Sequence, residues 1–154
     1  MAKSGKGTSF IVSKIFIDTN ILVYTLDGRD RAKQAKAREI VSAIASKHLP
    51  VISTQVVKEF FVVATTKLKT EAITAKQIVH NFHNMEVVAN DLDLIEQAID
   101  IHLLSQISFW DALIVAAAEK ANCEYIFSED LNDGQLYRGI KVVDPFKKGQ
   151  SVKW

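Results

Sequence analysis

Apolar positions along the chain follow two alternating rhythms. Ile15-Phe16-Ile17, Val51-Ile52, residues 85–88, Tyr125-Ile126-Phe127 and Ile140–Val143 are short apolar runs suited to buried strands. Between them the apolar residues recur three or four apart. After Ile17 a short helix through Ile21, Leu22 and Tyr24 is expected to stop near Asp27-Gly28. Asp30 has the chemistry of an N-cap for a helix over Arg31–Lys47, whose apolar stripe is Ala37, Ile40, Val41 and Ile44. Pro50 is expected to break the chain before the next strand. Ser53-Thr54 then opens a helix that turns Val56, Val57, Phe60, Phe61 and Ala64 to the core. Further helices are expected over residues 74–84, from Asp91 to about Gln106, and from a Ser108 cap through Lys120, and Asp144-Pro145 closes the last strand. Strands alternating with helices predict an α/β fold, a central parallel sheet flanked by helices on both faces.

A length of 154 residues suits one domain with one hydrophobic core. The expected division is a flexible tail over 1–13, a folded domain over 14–147 and a C-terminal tail over 148–154. Hydrophobic residues at 48% and charged residues at 24% are ordinary for a soluble globular chain, so disorder is expected only at the ends. A net charge of +1 does not announce a nucleic-acid binder; any such site must come from a local basic patch and bound metal. Cys123 is the sole cysteine, which excludes an internal disulfide and reads as a small core residue. The apolar runs fall short of the ~20 residues that span a bilayer, and residues 1–9 lack the apolar segment of a signal peptide. A cytoplasmic location without membrane association is the expectation.

Four acids carry the candidate chemistry. Asp18 follows the first strand directly, at the edge where open α/β sheets bind ligands, although it also suits a cap for the helix at Thr19. Thr19 and Asn20 add polar groups beside it. Glu59 falls at the margin of its helix's apolar stripe, near Val56 and Val63, where it either enters a cleft or meets solvent. Asp111 lies in Phe109-Trp110-Asp111-Ala112-Leu113-Ile114, on the same face as Ile114, Val115 and Ala118. It therefore points inward or into a cleft floor, although Ser108 and Asp111 also have capping-box spacing. Asp130 follows the strand at Phe127 through Ser128-Glu129, in a loop where turn acids are expected anyway. Together the four converge on one rim, where mutual repulsion would raise their pKa values unless a divalent cation neutralised them. Hard oxygen ligands select Mg²⁺ or Mn²⁺, and such a site can activate water against a phosphodiester.

At this point the motifs are recognisable. Phe16-Ile17-Asp18-Thr19-Asn20-Ile21-Leu22-Val23-Tyr24, then Glu59, then Phe109-Trp110-Asp111-Ala112-Leu113-Ile114, then Phe127-Ser128-Glu129-Asp130-Leu131 resemble the four motifs of the PIN-domain nucleases, and most of all their VapC-like toxin branch. The stretch from Gly134-Gln135 through Val142-Val143-Asp144-Pro145-Phe146 is similar to that branch as well. The resemblance implies a Mg²⁺/Mn²⁺-dependent endoribonuclease acting on RNA, a homodimer, held inactive by a cognate antitoxin. By position it makes Asp18, Glu59, Asp111 and Asp130 the catalytic and metal-binding acids, with Asn20 and Ser128 as supporting polar residues. Ser128 stands where the family frequently has Thr, which preserves the hydroxyl.

Other features weigh less. His80 and His83 are three apart on a polar helix and read as surface histidines. Arg29, Arg31, Lys33, Lys36 and Arg38 form a basic cluster that serves either as a solvated face or as a contact for RNA phosphates or acidic antitoxin residues. Trp110 reads as a core or groove-wall aromatic rather than a base-stacking platform. Alternative functions are a non-toxin PIN nuclease in RNA processing, an aspartyl phosphotransfer or phosphatase domain built on Asp18, and a non-catalytic module whose acids act only as caps.

Overall fold

The computed structural model describes residues 12–150; of the tails expected over 1–13 and 148–154, residues 1–11 and 151–154 lie outside the described residues. The elements run β1 (Lys14–Ile17), α1 (Thr19–Leu26), α2 (Arg31–Lys47), β2 (Leu49–Ser53), α3 (Thr54–Thr66), α4 (Ala72–Asn81), β3 (Glu86–Val88), α5 (Leu92–Ser105), α6 (Phe109–Lys120), β4 (Tyr125–Phe127), β5 (Leu136–Tyr137) and β6 (Ile140–Val143). The sheet order is β3-β2-β1-β4-β6-β5, parallel throughout except for β5 against β6.

Ile15, Phe16 and Ile17 alternate between the two faces of β1, yet all three are fully buried, so helices cover both faces. The chain steps from β1 to β2 to β3 in one direction, then returns past β1 to β4. Right-handed crossovers then put α1–α4 on one face and α5–α6 on the other. The packing agrees: α1 lies on α2 and α3, α3 on α4, and α5 on α6. Between β1 and β4 the outgoing connections diverge, which opens a crevice at their carboxyl ends.

The local capping chemistry holds as read. Asp30 accepts from the Lys33 N–H, Ser53 from Val56, Asp91 from Leu94 and Ser108 from Asp111, each satisfying one orphan donor of a helix start. The departures are tertiary. Pro50 does not break the chain but lies within β2, opposite Ile15. The Leu49 N–H points to Ser13 on the β1 side, so residue 50 faces the β3 side, where pairing begins only at Val51 with Glu86. The missing N–H of proline is lost where no partner stands.

The helix expected over 74–84 is α4 at Ala72–Asn81 followed by one 3-10 turn at Phe82–Asn84. Phe61 was expected in the core and is 38% exposed, because neighbouring residues on a helix lie 100° apart and Phe60 already fills the stripe. Strand β5 has no counterpart in the reading. Its hairpin turns on Arg138 and Gly139, both at positive φ (50° and 78°), the two-residue turn whose twist matches the strands. Cys123 is a buried core residue as expected, with burial pushing its thiol up to about 12.

Candidate active site

Asp18 is the first residue past β1 and Ser128 the first past β4. The parallel ladder ends here, with the Asp18 N–H donating to the Phe127 carbonyl at 3.0 Å. The Asp18 side chain faces both ways: Oδ1 accepts from the Thr19 N–H at 2.7 Å and Oδ2 from the Ser128 hydroxyl at 2.7 Å. It is a cap and a cleft residue at once. Asp18 is only 5% exposed. Burial pushes its carboxyl up to about 6 against the lowering by Ser128 and Thr19, and the charges of Asp130 and Glu59 push it further the same way.

The Ser128 hydroxyl is a junction. Besides donating to Asp18 it accepts from the N–H groups of Asp130 and Leu131, at 3.1 and 3.3 Å, which bends the chain after β4 and aims Asp130 at the crevice. Ser128→Ala would leave these buried groups without their partner. It is expected to cost about 1–3 kcal/mol in denaturant unfolding, well above the ~0.5 kcal/mol of an ordinary surface change.

Glu59, half-buried on the second turn of α3, is held by both oxygens. Thr19 Oγ1 donates to Oε2 at 2.7 Å, and Gln55 Nε2 donates to Oε1 at 3.0 Å. Asp130 is more open, and its Oδ2 accepts from Asn20 Nδ2 at 2.7 Å. Partial desolvation raises its pKa first, against the Asn20 hydrogen bond, with the charges of Asp111, Glu129 and Glu59 adding to the rise. Asp111 occupies the first turn of α6, where its N–H donates to Ser108 Oγ at 3.1 Å. The reciprocal half of a capping box is absent: among the described residues no donor reaches the Asp111 carboxylate. Its charge reaches Asp130, and also Tyr137 on β5, whose phenol is raised by burial first and by Asp111 second.

The four acids are thus linked by charge through Asp130, and none has a cationic partner among the described residues. Among the described residues every ion pair engages other acids: Glu86, Asp27, Glu129, Asp91, Glu119 and Asp133. Nor do three His, Cys, Asp or Glu side chains of the described residues stand close enough together to cage an ion as they are. Hydroxyl and amide donors occupy Asp18, Glu59 and Asp130 instead. The donor set still fits a hard divalent cation, being all oxygen and uncompensated in charge. Gln55 supports this fit, because its Oε1 is buried with no hydrogen-bond partner while its Nε2 holds Glu59.

Gln55 is the residue the sequence reading missed. The available signal was an amide four residues before Glu59 on a helix, a spacing at which the two side chains meet. The basic cluster does not act as a unit. Arg29 pairs with Asp27, Arg38 donates to the Thr25 carbonyl, and Lys33 pairs with Glu129 at 2.7 Å while lying over the rings of Tyr24 and Phe146. Tyr24 also donates to Glu129 at 2.7 Å, so this group anchors the segment carrying Asp130. His80 and His83 are surface residues, as expected, and their rings meet edge to face. Trp110 is not a core residue: it is 63% exposed.

The PIN domain model matches the chain over residues 15–138. No curated protein matches it by sequence. Among solved structures the chain is similar to VapC20 of Mycobacterium tuberculosis, described as a sarcin-ricin-loop-cleaving toxin. The two share 24% identity over 75% of this chain and 91% of that one, with a TM-score of 0.62. A toxin–antitoxin complex from Klebsiella pneumoniae gives 20% identity, 86% and 98% coverage, and a TM-score of 0.66. VapBC2 of Rickettsia felis, bound to a DNA fragment from its promoter, gives 17% identity, 84% and 96% coverage, and a TM-score of 0.60. These likenesses concern the fold, whereas the PIN domain match runs from β1 through all six helices to the hairpin at Arg138, and by it the chain belongs to the PIN domain family.

Proposed function

We propose that this chain is a Mg²⁺- or Mn²⁺-dependent endoribonuclease, the cytoplasmic toxin of a toxin–antitoxin pair. The observation that carries the reading is the set of four carboxylates at the sheet's divergence point, linked by charge and without a basic partner among the described residues. Asp18, Glu59, Asp111 and Asp130 would hold the cation. When bound, it would supply a Lewis acid for the phosphodiester and a lowered pKa for attacking water. Ser128 and Asn20 orient Asp18 and Asp130, while Thr19 and Gln55 orient Glu59. Asp130 Oδ1 takes no hydrogen bond from the described residues and is free to accept a proton from water.

The antitoxin follows from the same charge. An uncompensated acid cluster attracts a guanidinium, whose planar fork bonds two carboxylates, and an inhibitory segment carrying Arg would displace the cation. The Klebsiella structure, a toxin–antitoxin complex by name, supports a partner of this kind. A homodimer is part of the same proposal. An aspartyl phosphotransfer role finds no support, since both Asp18 oxygens are engaged and among the described residues no lysine bonds them.

Partner-free protein is expected to cut single-stranded or looped RNA in Mg²⁺ or Mn²⁺, to stop in excess EDTA and to resume when the cation is restored. Undiminished cutting in EDTA overturns the metal mechanism. Failure to cut any RNA with either cation overturns the nuclease.

A further inference from the structure

Helix α6 turns inward from its fourth residue, and Ala112–Ala118 are all buried. Directly before them an indole is left in solvent: Trp110 is 63% exposed, one residue from Asp111. It does not lie on a loose end. Ser108 caps the turn, the Trp110 carbonyl accepts from Gln55 Nε2 at 3.4 Å, and its ring meets Phe109 edge-on at 5.5 Å. Gln55 is also the residue that holds Glu59, so Trp110 is tied to the acid cluster by its backbone as well as by sequence. At 100° per residue its side chain flanks that of Asp111 rather than covering it.

Charge then decides what such a ring is for. The cluster is anionic, no Lys or Arg of the described residues pairs with it, and the chain as a whole carries only +1. The acids themselves thus offer a phosphate no basic side chain among the described residues, and phosphate contacts are the usual source of nucleic-acid affinity. A base presents a π-face whatever its sequence, and stacking on an aromatic adds affinity that does not depend on net charge. We propose that Trp110 is the stacking platform for a nucleobase beside the scissile phosphodiester of single-stranded RNA. This rests on the nuclease reading, and the two can fail separately.

Trp110 and Trp154 are the chain's two tryptophans, so Trp154→Phe leaves Trp110 as the sole indole reporter. In that background, with Asp111→Asn to prevent cutting, a short single-stranded oligoadenylate should quench the indole emission and a duplex of the same length should not. With Asp111 intact, Trp110→Ala should raise KM for single-stranded RNA about tenfold with kcat little changed, and Trp110→Phe should recover most of the loss. Absent quenching, or an unchanged KM in Trp110→Ala, overturns the proposal. So does a Trp110→Ala variant that only lowers the mass seen by light scattering, since the ring would then be a contact between protein chains. Quenching by single strands in a protein whose parent cuts no RNA supports the platform and overturns the nuclease reading.

Discussion

Asp111→Asn is expected to lower RNA cleavage by at least about 100-fold while leaving unfolding within ~0.5 kcal/mol of the parent. The two halves of that result have separate physical origins. The Asp111 carboxylate accepts no hydrogen bond from the described residues, and its backbone N–H, which does bond Ser108, is untouched by the change. The substitution therefore removes a charge and almost nothing else. Because that charge raises Asp130, losing it relieves repulsion and favours the fold slightly. The site, by contrast, loses the one acid whose oxygens are not already engaged by protein donors, and with it a large share of its attraction for a cation. Loss of growth arrest on expression should accompany the loss of cutting if the chain is a toxin. A variant that unfolds early, or that still cuts at the parental rate, would return Asp111 to a purely structural role.

The parts legible in the sequence are those with local causes. Asp30, Ser53, Asp91 and Ser108 cap helices because a short side-chain acceptor reaches an N–H a few residues on, whatever the rest of the chain does. Asp18 at a strand end was legible for a similar reason: the apolar run stops there and the next residue is charged. That Asp18 and Asp130 meet is a property of strand order, legible because both follow strands at the carboxyl edge of a parallel sheet. Pro50 was misread because its tolerance depends on where β3 begins, and Phe61 because two adjacent aromatics cannot both lie on one stripe. Strand β5 is two residues long and gives no periodicity to detect. Trp110 reads from sequence as core or groove wall because an aromatic beside an apolar run usually packs, and its accessibility shows that it is not core.

The acidity of Asp18 should make the metal-free protein lose stability toward neutral pH, and a divalent cation should restore it. In the folded chain its carboxyl sits at about 6, against an ordinary 3.8. The folded state therefore holds the proton more tightly than the unfolded one. The stability this contributes is complete below the ordinary value and is lost as pH rises through about 6. Two pH units at 1.36 kcal/mol each make that loss about 3 kcal/mol. Asp130 is raised and runs the same way, whereas Asp27, Asp91 and Asp133 are lowered and contribute stability that disappears as pH falls. The profile of the parent alone is a sum of opposing slopes. The difference between parent and Asp18→Asn removes the slopes of the distant acids and leaves Asp18 with its coupling to Asp130 and Glu59, while broken hydrogen bonds add an offset that does not vary with pH. That difference should slope downward between roughly pH 4 and pH 7 in EDTA. Added Mg²⁺ or Mn²⁺ should raise Tm by about 5–10 °C near pH 7.5, and by less near pH 5 where protons compete for the same oxygens. A flat difference profile would show that Asp18 is not buried as an uncompensated acid, and a Tm indifferent to both cations at neutral pH would remove the metal from the site.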